Sequence, residues 1–344
     1  MVDVTVMGAG AFGLSVAWAC IQRGAKVQVI DPNGVAAGSS GGIVGALAPH
    51  TPENWNEKKA FQFESLIMAR QFWPNVESIG GKISGYGSVG RVQPVADERA
   101  MDLAHKRAEN AQTLWQGKAN WQVLPASAMD PWAPQSATGY LIHDTLSARI
   151  HPRMACQALA AAIGAMGGRI CTEASSKGAI VWATGWKGLL ELSGELGRPV
   201  GNGVKGQAIL LKHSQPNMPQ LFADAVHIVP HVDGTVAIGS TSEREFEHPT
   251  RTDAQIDLVL ARAIGAVPGL ANAPILRRWA GVRPRAKSRA PMLGQHPTRP
   301  TEYIANGGFK IGFGMAPKAG EVMADLILEG RDSIPEPFKP AASL

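Results

Sequence analysis

The sequence predicts an α/β protein in which a parallel-sheet, Rossmann-type domain is interleaved with a domain built on an antiparallel sheet. Three observations point there. The chain opens on a strand, a glycine-rich turn, a helix and a second strand; short alternating strands fill residues 205–242; and strand, glycine-rich loop and helix return after residue 303. At 344 residues there is length for about two domains, and 45% hydrophobic residues supply their cores.

Val2 to Met7 reads as a buried strand, Leu14 to Arg23 as an alanine-rich helix stopped by Gly24, and Lys26 to Ile30 as a second strand ending at Asp31. Between the first two lies Gly8-Ala9-Gly10-Ala11-Phe12-Gly13, the dinucleotide fingerprint in its proper context. Gly8 allows the tight turn, Gly10 lets a pyrophosphate approach the backbone, and Gly13 lets helix and strand pack closely. Phosphates then sit on the helix N-terminus, where free N–H groups favour negative charge. Asp31 is placed to accept from a ribose 2′-hydroxyl and would repel a 2′-phosphate.

Gly38 to His50 is a small-residue loop, either flexible surface or a backbone lying flat against a ring or phosphate, with Ser39 and Ser40 as donors. A helix is expected from Asn56 to Phe72, ending before Pro74, and another from about Glu98 to Leu114. Trp115, Trp121 and Trp132 then suit core or interface packing better than stacking on a ligand. His151-Pro152 introduces a helix from Arg153 to Met166, and an apolar strand ends in Ala183-Thr184-Gly185, a sharp turn fit to lie beneath a dinucleotide. Strands follow at 207–211, 227–230 and 235–239, the last two joined by Asp233-Gly234. A helix over 253–264 precedes a basic segment containing Arg277, Arg278, Arg283, Arg285, Lys287 and Arg289. The strand Tyr303–Ala305, the loop 306–314 and a helix from Lys318 to Leu328 finish the fold.

Composition narrows the function. Three scattered cysteines disfavour a disulfide framework and a cysteine-type zinc site, and favour a reducing, cytoplasmic setting. No apolar run reaches the roughly 20 residues of a membrane span. The net charge of +5 is a modest excess concentrated in the basic segment, which suits a solvated face or an anionic small molecule; no nucleic-acid motif accompanies it. His227 and His231 cannot share a metal, because Pro230 bars a helix and on a strand they stand about 13 Å apart.

The order of these signals resembles the FAD-dependent D-amino-acid oxidase family, closest to its glycine oxidase and sarcosine oxidase branch. The likeness rests on GAGAFG with Asp31, GSSGGIVGALAPH, HPRMACQALAAAI, IVWATGW, VKGQ, HIVPHVDGTVAIGST, WAGVRPRAKSRAPMLG and NGGFKIGFGMAPKAG, and covers nearly the whole chain. It implies an FAD-binding domain made of residues 1–84, 141–199 and 277–344, with a substrate domain made of 85–140 and 200–276. FAD is then expected against Gly8, Gly10, Ala11, Phe12, Gly13 and Asp31. The same is expected of Ser39, Ser40, Val44, Gly45, Ala46, Leu47 and Gly185, with Gly308, Phe309, Lys310, Ile311, Gly312 and Phe313 capping the ring.

By the same resemblance Arg283 clamps a substrate carboxylate, since arginine's planar fork gives charge and orientation together. Lys310 stands where glycine oxidases carry an arginine, and His227 where a tyrosine is common; His227 either reaches substrate or is a packed strand histidine. Lys318 and the last helix are expected to stabilise negative charge on the reduced ring. The stretch 170–179 is shorter than the family's hairpin, leaving the adenine side more open. The implied reaction is oxidation of the C–N bond of a glycine-, sarcosine- or D-amino-acid-type substrate by hydride transfer to flavin N5, giving an imine, with oxygen or another carrier as acceptor. Positioning matters more there than a strong base. Alternatives are a 2-hydroxy-acid oxidase or dehydrogenase on the same fold, a tRNA-modifying flavoprotein, and a redox-inactive FAD subunit.

Overall fold

A computed structural model describes residues 2–344. In chain order the strands of the first half are β1 (Val4–Met7), β2 (Val27–Ile30), β3 (Ala46–Leu47), β4 (Arg91–Pro94), β5 (Trp121–Pro125), β6 (Tyr140–Asp144), β7 (Ala148–Arg149) and β8 (Arg169–Cys171). Those of the second half are β9 (Ala179–Trp182), β10 (Gly201–Lys212), β11 (Gln220–Ala223), β12 (Val226–Pro230), β13 (Thr235–Gly239), β14 (Ile275–Ala286), β15 (Met292–Gln295) and β16 (Glu302–Asn306). The helices are α1 (Ala11–Gln22), α2 (Glu57–Gly80), α3 (Glu98–Leu114), α4 (Pro152–Ala165), α5 (Gly185–Glu195), α6 (Gln255–Ala266) and α7 (Gly312–Glu329).

Two sheets divide these strands. A six-stranded sheet runs β15-β16-β9-β1-β2-β8, parallel except for β15 at its edge. An eight-stranded sheet runs β14-β10-β13-β12-β11-β4-β6-β5, antiparallel except where β11 meets β4. The chain enters the second sheet twice, so the predicted interleaving of a Rossmann-type domain with an antiparallel one is the observed architecture. The expected divisions at 141 and 277 need moving: both fall inside strands of the eight-stranded sheet, β6 and β14.

The helix α1 is apolar on all sides and nearly all buried, wedged between the parallel sheet and α7. Gly320 allows that approach, because a Cβ there would lie 2.5 Å from the Ser15 carbonyl oxygen. The first helix begins at Ala11, three residues before the sequence suggested, so Gly13 is helical.

Two prolines do not act as stops. α2 is capped by the Asn56 side chain, which accepts from the Lys59 N–H, but it runs through Pro74 to a left-handed Gly81. Pro74 is exposed, while Trp73 and Val76 beside it are fully buried, and that burial offsets the lost hydrogen bond. α7 starts at Gly312 rather than Lys318 and contains Pro317, held by the buried Met315, Ala316 and Ala319. Trp115, Trp121 and Trp132 are buried, and the Trp132 indole donates to the Pro219 carbonyl at 2.8 Å. No helix is long and apolar enough to cross a membrane.

Candidate active site

A cavity of about 1130 Å³ lies between the two sheets, above the usual range for a small-molecule site and roomy enough for a dinucleotide with a small second ligand. The β1–α1 turn forms one wall. Gly8 has φ +113°, which only glycine adopts at ease, and a Cβ there would strike the Ala183 carbonyl. Gly13 has no place on the cavity wall; a Cβ on it would overlap the Gly8 carbonyl oxygen, so it serves helix–strand packing as predicted. The N-terminus of α1 has no acid in its first turn and no cap from Gly10, and the Ser40 Oγ accepts the Ala11 N–H at 3.0 Å. Orphan N–H groups at such an end suit an anion.

Asp31 closes the far end of this wall. One carboxylate oxygen accepts from the Ala9 N–H at 2.9 Å and the other from the Asn33 N–H at 3.0 Å, leaving lone pairs free towards the cavity. Ser39, Ser40, Val44, Gly45, Ala46 and Leu47 line the adjoining wall, as does Gly185 at the start of α5. The exposed stretch 172–178 contributes nothing to the cavity. These features fit a dinucleotide: a helix N-terminus to which Gly10 gives no side-chain cap, a glycine turn that puts no side chain on the cavity wall at Gly8 and Gly10, and an acid at the tip of the second strand.

The other end of the cavity is cationic. β14 was not foreseen as a strand, yet its alternation places Trp279, Gly281, Arg283 and Arg285 on one face. Gly206 of β10 pairs with Gly281 of β14. A Cβ on Gly206 would overlap the Arg283 guanidinium and one on Gly281 the Trp279 ring, so these two glycines let both side chains lie across the sheet. Arg283 donates from Nη1 to the Ser240 Oγ at 2.9 Å and from Nη2 to the Thr241 carbonyl at 2.7 Å, while its Nε has no partner. Burial pulls its guanidinium down to about 10, opposed by the Glu243 carboxylate, so it stays charged at neutral pH.

Gly308, Phe309, Lys310, Gly312 and Phe313 line the same end; Ile311 does not, and packs against the main core instead. Phe309 holds φ +43°, a strained value for an aromatic residue. Burial and Arg283 both lower the Lys310 ammonium. Lys318 does not reach the cavity. It lies beyond the first turn of α7, bound to Glu321 at 2.7 Å and Glu64 at 3.4 Å, and the expectation that it supports the reacting ring is corrected. The uncapped N-terminus of α7 at Gly312 stands at the cavity instead.

His227 and His231 go separate ways. His227 lines the cavity beside Phe222, with Nδ1 buried and unpartnered; burial, Arg91 and Lys310 hold its imidazole down at about 3, hence neutral. His231 is fully buried, its Nε2 2.9 Å from the Ile43 carbonyl, so that nitrogen carries the hydrogen. Burial and the nearby His151 lower it to about 4. The unfolded imidazole, near pH 6.5, binds a proton the folded one refuses, so stability is complete above that pH and falls as acid approaches 4. His231→Gln is expected to flatten the dependence of Tm on pH between 7 and 4.5; an unaltered slope would contradict this origin.

Trp279, Trp186, Phe222 and Ser240 were not foreseen as site residues, though all line the cavity. For Trp186, Trp279 and Ser240 the signal lay inside stretches already singled out, IVWATGW, WAGVRP and VAIGST.

Comparison with known proteins gives the family. The family model described as FAD dependent oxidoreductase (DAO) matches residues 3–326. The glycine oxidase of Bacillus licheniformis is 24% identical over 352 residues, covering 95% of this chain and 93% of that protein. The bifunctional protein ThiO/ThiG of Trichormus variabilis is 28% identical over 353 residues, covering 95% of this chain and 53% of that protein, so the chain spans about half the length of that relative. The solved glycine oxidase of Bacillus cereus superposes with a TM-score of 0.83 at 21% identity, covering 96% of each chain, a likeness of fold. By sequence and fold the chain belongs to the family of FAD dependent oxidoreductases, and FAD is its cofactor.

Proposed function

We propose that this chain oxidises the C–N bond of a small amino acid of the glycine, sarcosine or D-amino-acid type. The observation that carries the reading is Arg283: a charged guanidinium held by Ser240 and Thr241, turned into the cavity opposite the fingerprint wall. A carboxylate is the substrate group that such a cation orients. FAD supplies the acceptor for the electron pair that leaves with the substrate Cα–H bond; the substrate becomes an imine, which water hydrolyses to an oxo acid and an amine.

The protein's own tasks are binding and exclusion of water. Arg283 fixes the carboxylate. The apolar surfaces of Trp279, Phe222 and Phe309 restrict the space beside it. His227, neutral and on the cavity wall, adds no charge at the same end. Asp31 and the fingerprint turn hold the nucleotide half. Dioxygen or another carrier takes the electrons onward, and the setting we propose is cytoplasmic.

The purified protein should be yellow, release FAD on denaturation, and bleach anaerobically with glycine, sarcosine, a D-amino acid or proline. Ammonia or amine released with the oxo acid separates this from oxidation of a 2-hydroxy acid. Failure of every amine to bleach the flavin would overturn the reading. Asp31→Ala should weaken FAD retention by roughly 10–100-fold, the worth of one hydrogen bond to a charged group, as measured by flavin released on dilution.

A further inference from the structure

We propose that the cationic end of the cavity takes two carboxylates, and that the preferred substrate is an amine bearing an acid on each arm. This deepens the reading above and rests on it for the oxidation step. Three cations surround one ring: the guanidinium carbons of Arg283 and Arg285 lie 5.7 and 5.6 Å from the centroid of Phe309, and the Lys310 ammonium 5.8 Å. A buried or half-buried cation ordinarily has an acid beside it, as Lys205 has Glu243 at 3.1 Å. Here none does. Arg283 bonds only neutral oxygens, and Arg285 and Lys310 have neither an acid within 4 Å nor a side-chain hydrogen bond among the described residues.

Like charges gathered round one ring repel one another unless an anion lies between them. A protein that needed only to seat one carboxylate has a complete clamp in Arg283. Lys310, which lines the cavity, then remains as an unpaired positive charge, with Arg285 at a similar distance from the Phe309 ring. The acids that line this cavity are Asp31, bound to the fingerprint turn, and Glu191, and neither pairs with these cations. A second carboxylate on the substrate supplies one. Oxidation of such a compound breaks one Cα–H bond and, after hydrolysis of the imine, releases an oxo acid from one arm and leaves the other as an amino acid.

The test uses the FAD-loaded enzyme and two unreactive ethers that differ by one carboxylate, diglycolate and methoxyacetate, each titrated by its perturbation of the flavin spectrum. Diglycolate should bind at least tenfold more tightly. That preference should fall at least fivefold in Lys310→Met and persist in Lys310→Arg. Equal affinities within twofold, binding of neither ether, or a preference untouched by Lys310→Met would each overturn the proposal. A parallel arm compares anaerobic bleaching by N-(carboxymethyl)glycine and N-methylglycine. If diglycolate binds preferentially but neither amine bleaches the flavin, the two-anion site stands and amine oxidation fails. If both amines bleach it with equal kcat/KM, amine oxidation stands and the two-anion site falls.

Discussion

Arg283→Ala should leave the protein yellow and lower kcat/KM for its amine substrate by about three orders of magnitude. The size follows from what is lost: a substrate carboxylate left without its cation in a half-buried setting costs about 3–5 kcal/mol. The nucleotide wall is built from other parts of the chain, the β1–α1 turn, Asp31 and the loop 38–47, so FAD content should be unchanged. Stability will fall too, because Arg283 also supports the Thr241 and Lys205 carbonyls and fills the space left by Gly206. Arg283→Lys separates the two effects. It keeps the charge and much of the volume but loses the planar fork, and should retain FAD with kcat/KM lowered about 10–100-fold. An Arg283→Ala enzyme that bleaches at the normal rate would show that the carboxylate is held elsewhere.

How much of this was legible beforehand depended on whether the local signal and the tertiary environment agreed. The β1–α1–β2 unit was readable to within three residues because glycine spacing, alternation and a terminal acid all mark one geometry. The interleaving was readable because strands of two kinds recur in separate blocks. β14 was hidden, since its cations mask a period of two that becomes visible only when β10 pairs with it. Residues Trp279 and Ser240 were missed for the same reason: which face of a strand looks into a cavity is decided by the partner strand. Pro74 misled because proline's local cost was outweighed by burial of Trp73. Lys318 misled because a helix start placed six residues late moved the helix N-terminus with it.

Two glycines that look alike in sequence should respond oppositely to alanine, and the difference tests which surfaces face the cofactor. Gly13 has ordinary φ, but its Cβ would overlap the carbonyl oxygen of Gly8, whose backbone is already fixed by φ +113° and by the Ala183 carbonyl behind it. Nothing in that triangle is a flexible side-chain end, so Gly13→Ala should cost more than the 1–3 kcal/mol of ordinary overpacking and yield little folded, FAD-containing protein. Gly312 also has helical φ, at −52°, yet nothing lies within 4 Å of where its Cβ would be. Alanine there should stabilise the apoprotein by up to about 1 kcal/mol, because glycine is the poorer helix former. It also stands on the cavity wall at the uncapped start of α7, where a methyl group would project towards the ligand. Gly312→Ala should therefore raise the Tm of the apoprotein while weakening FAD retention at least tenfold. Only a ligand passing close to that backbone accounts for both changes at once. A variant that gained stability and kept FAD as the parent does would place the cofactor away from α7, and the helix N-terminus would have no part in holding it.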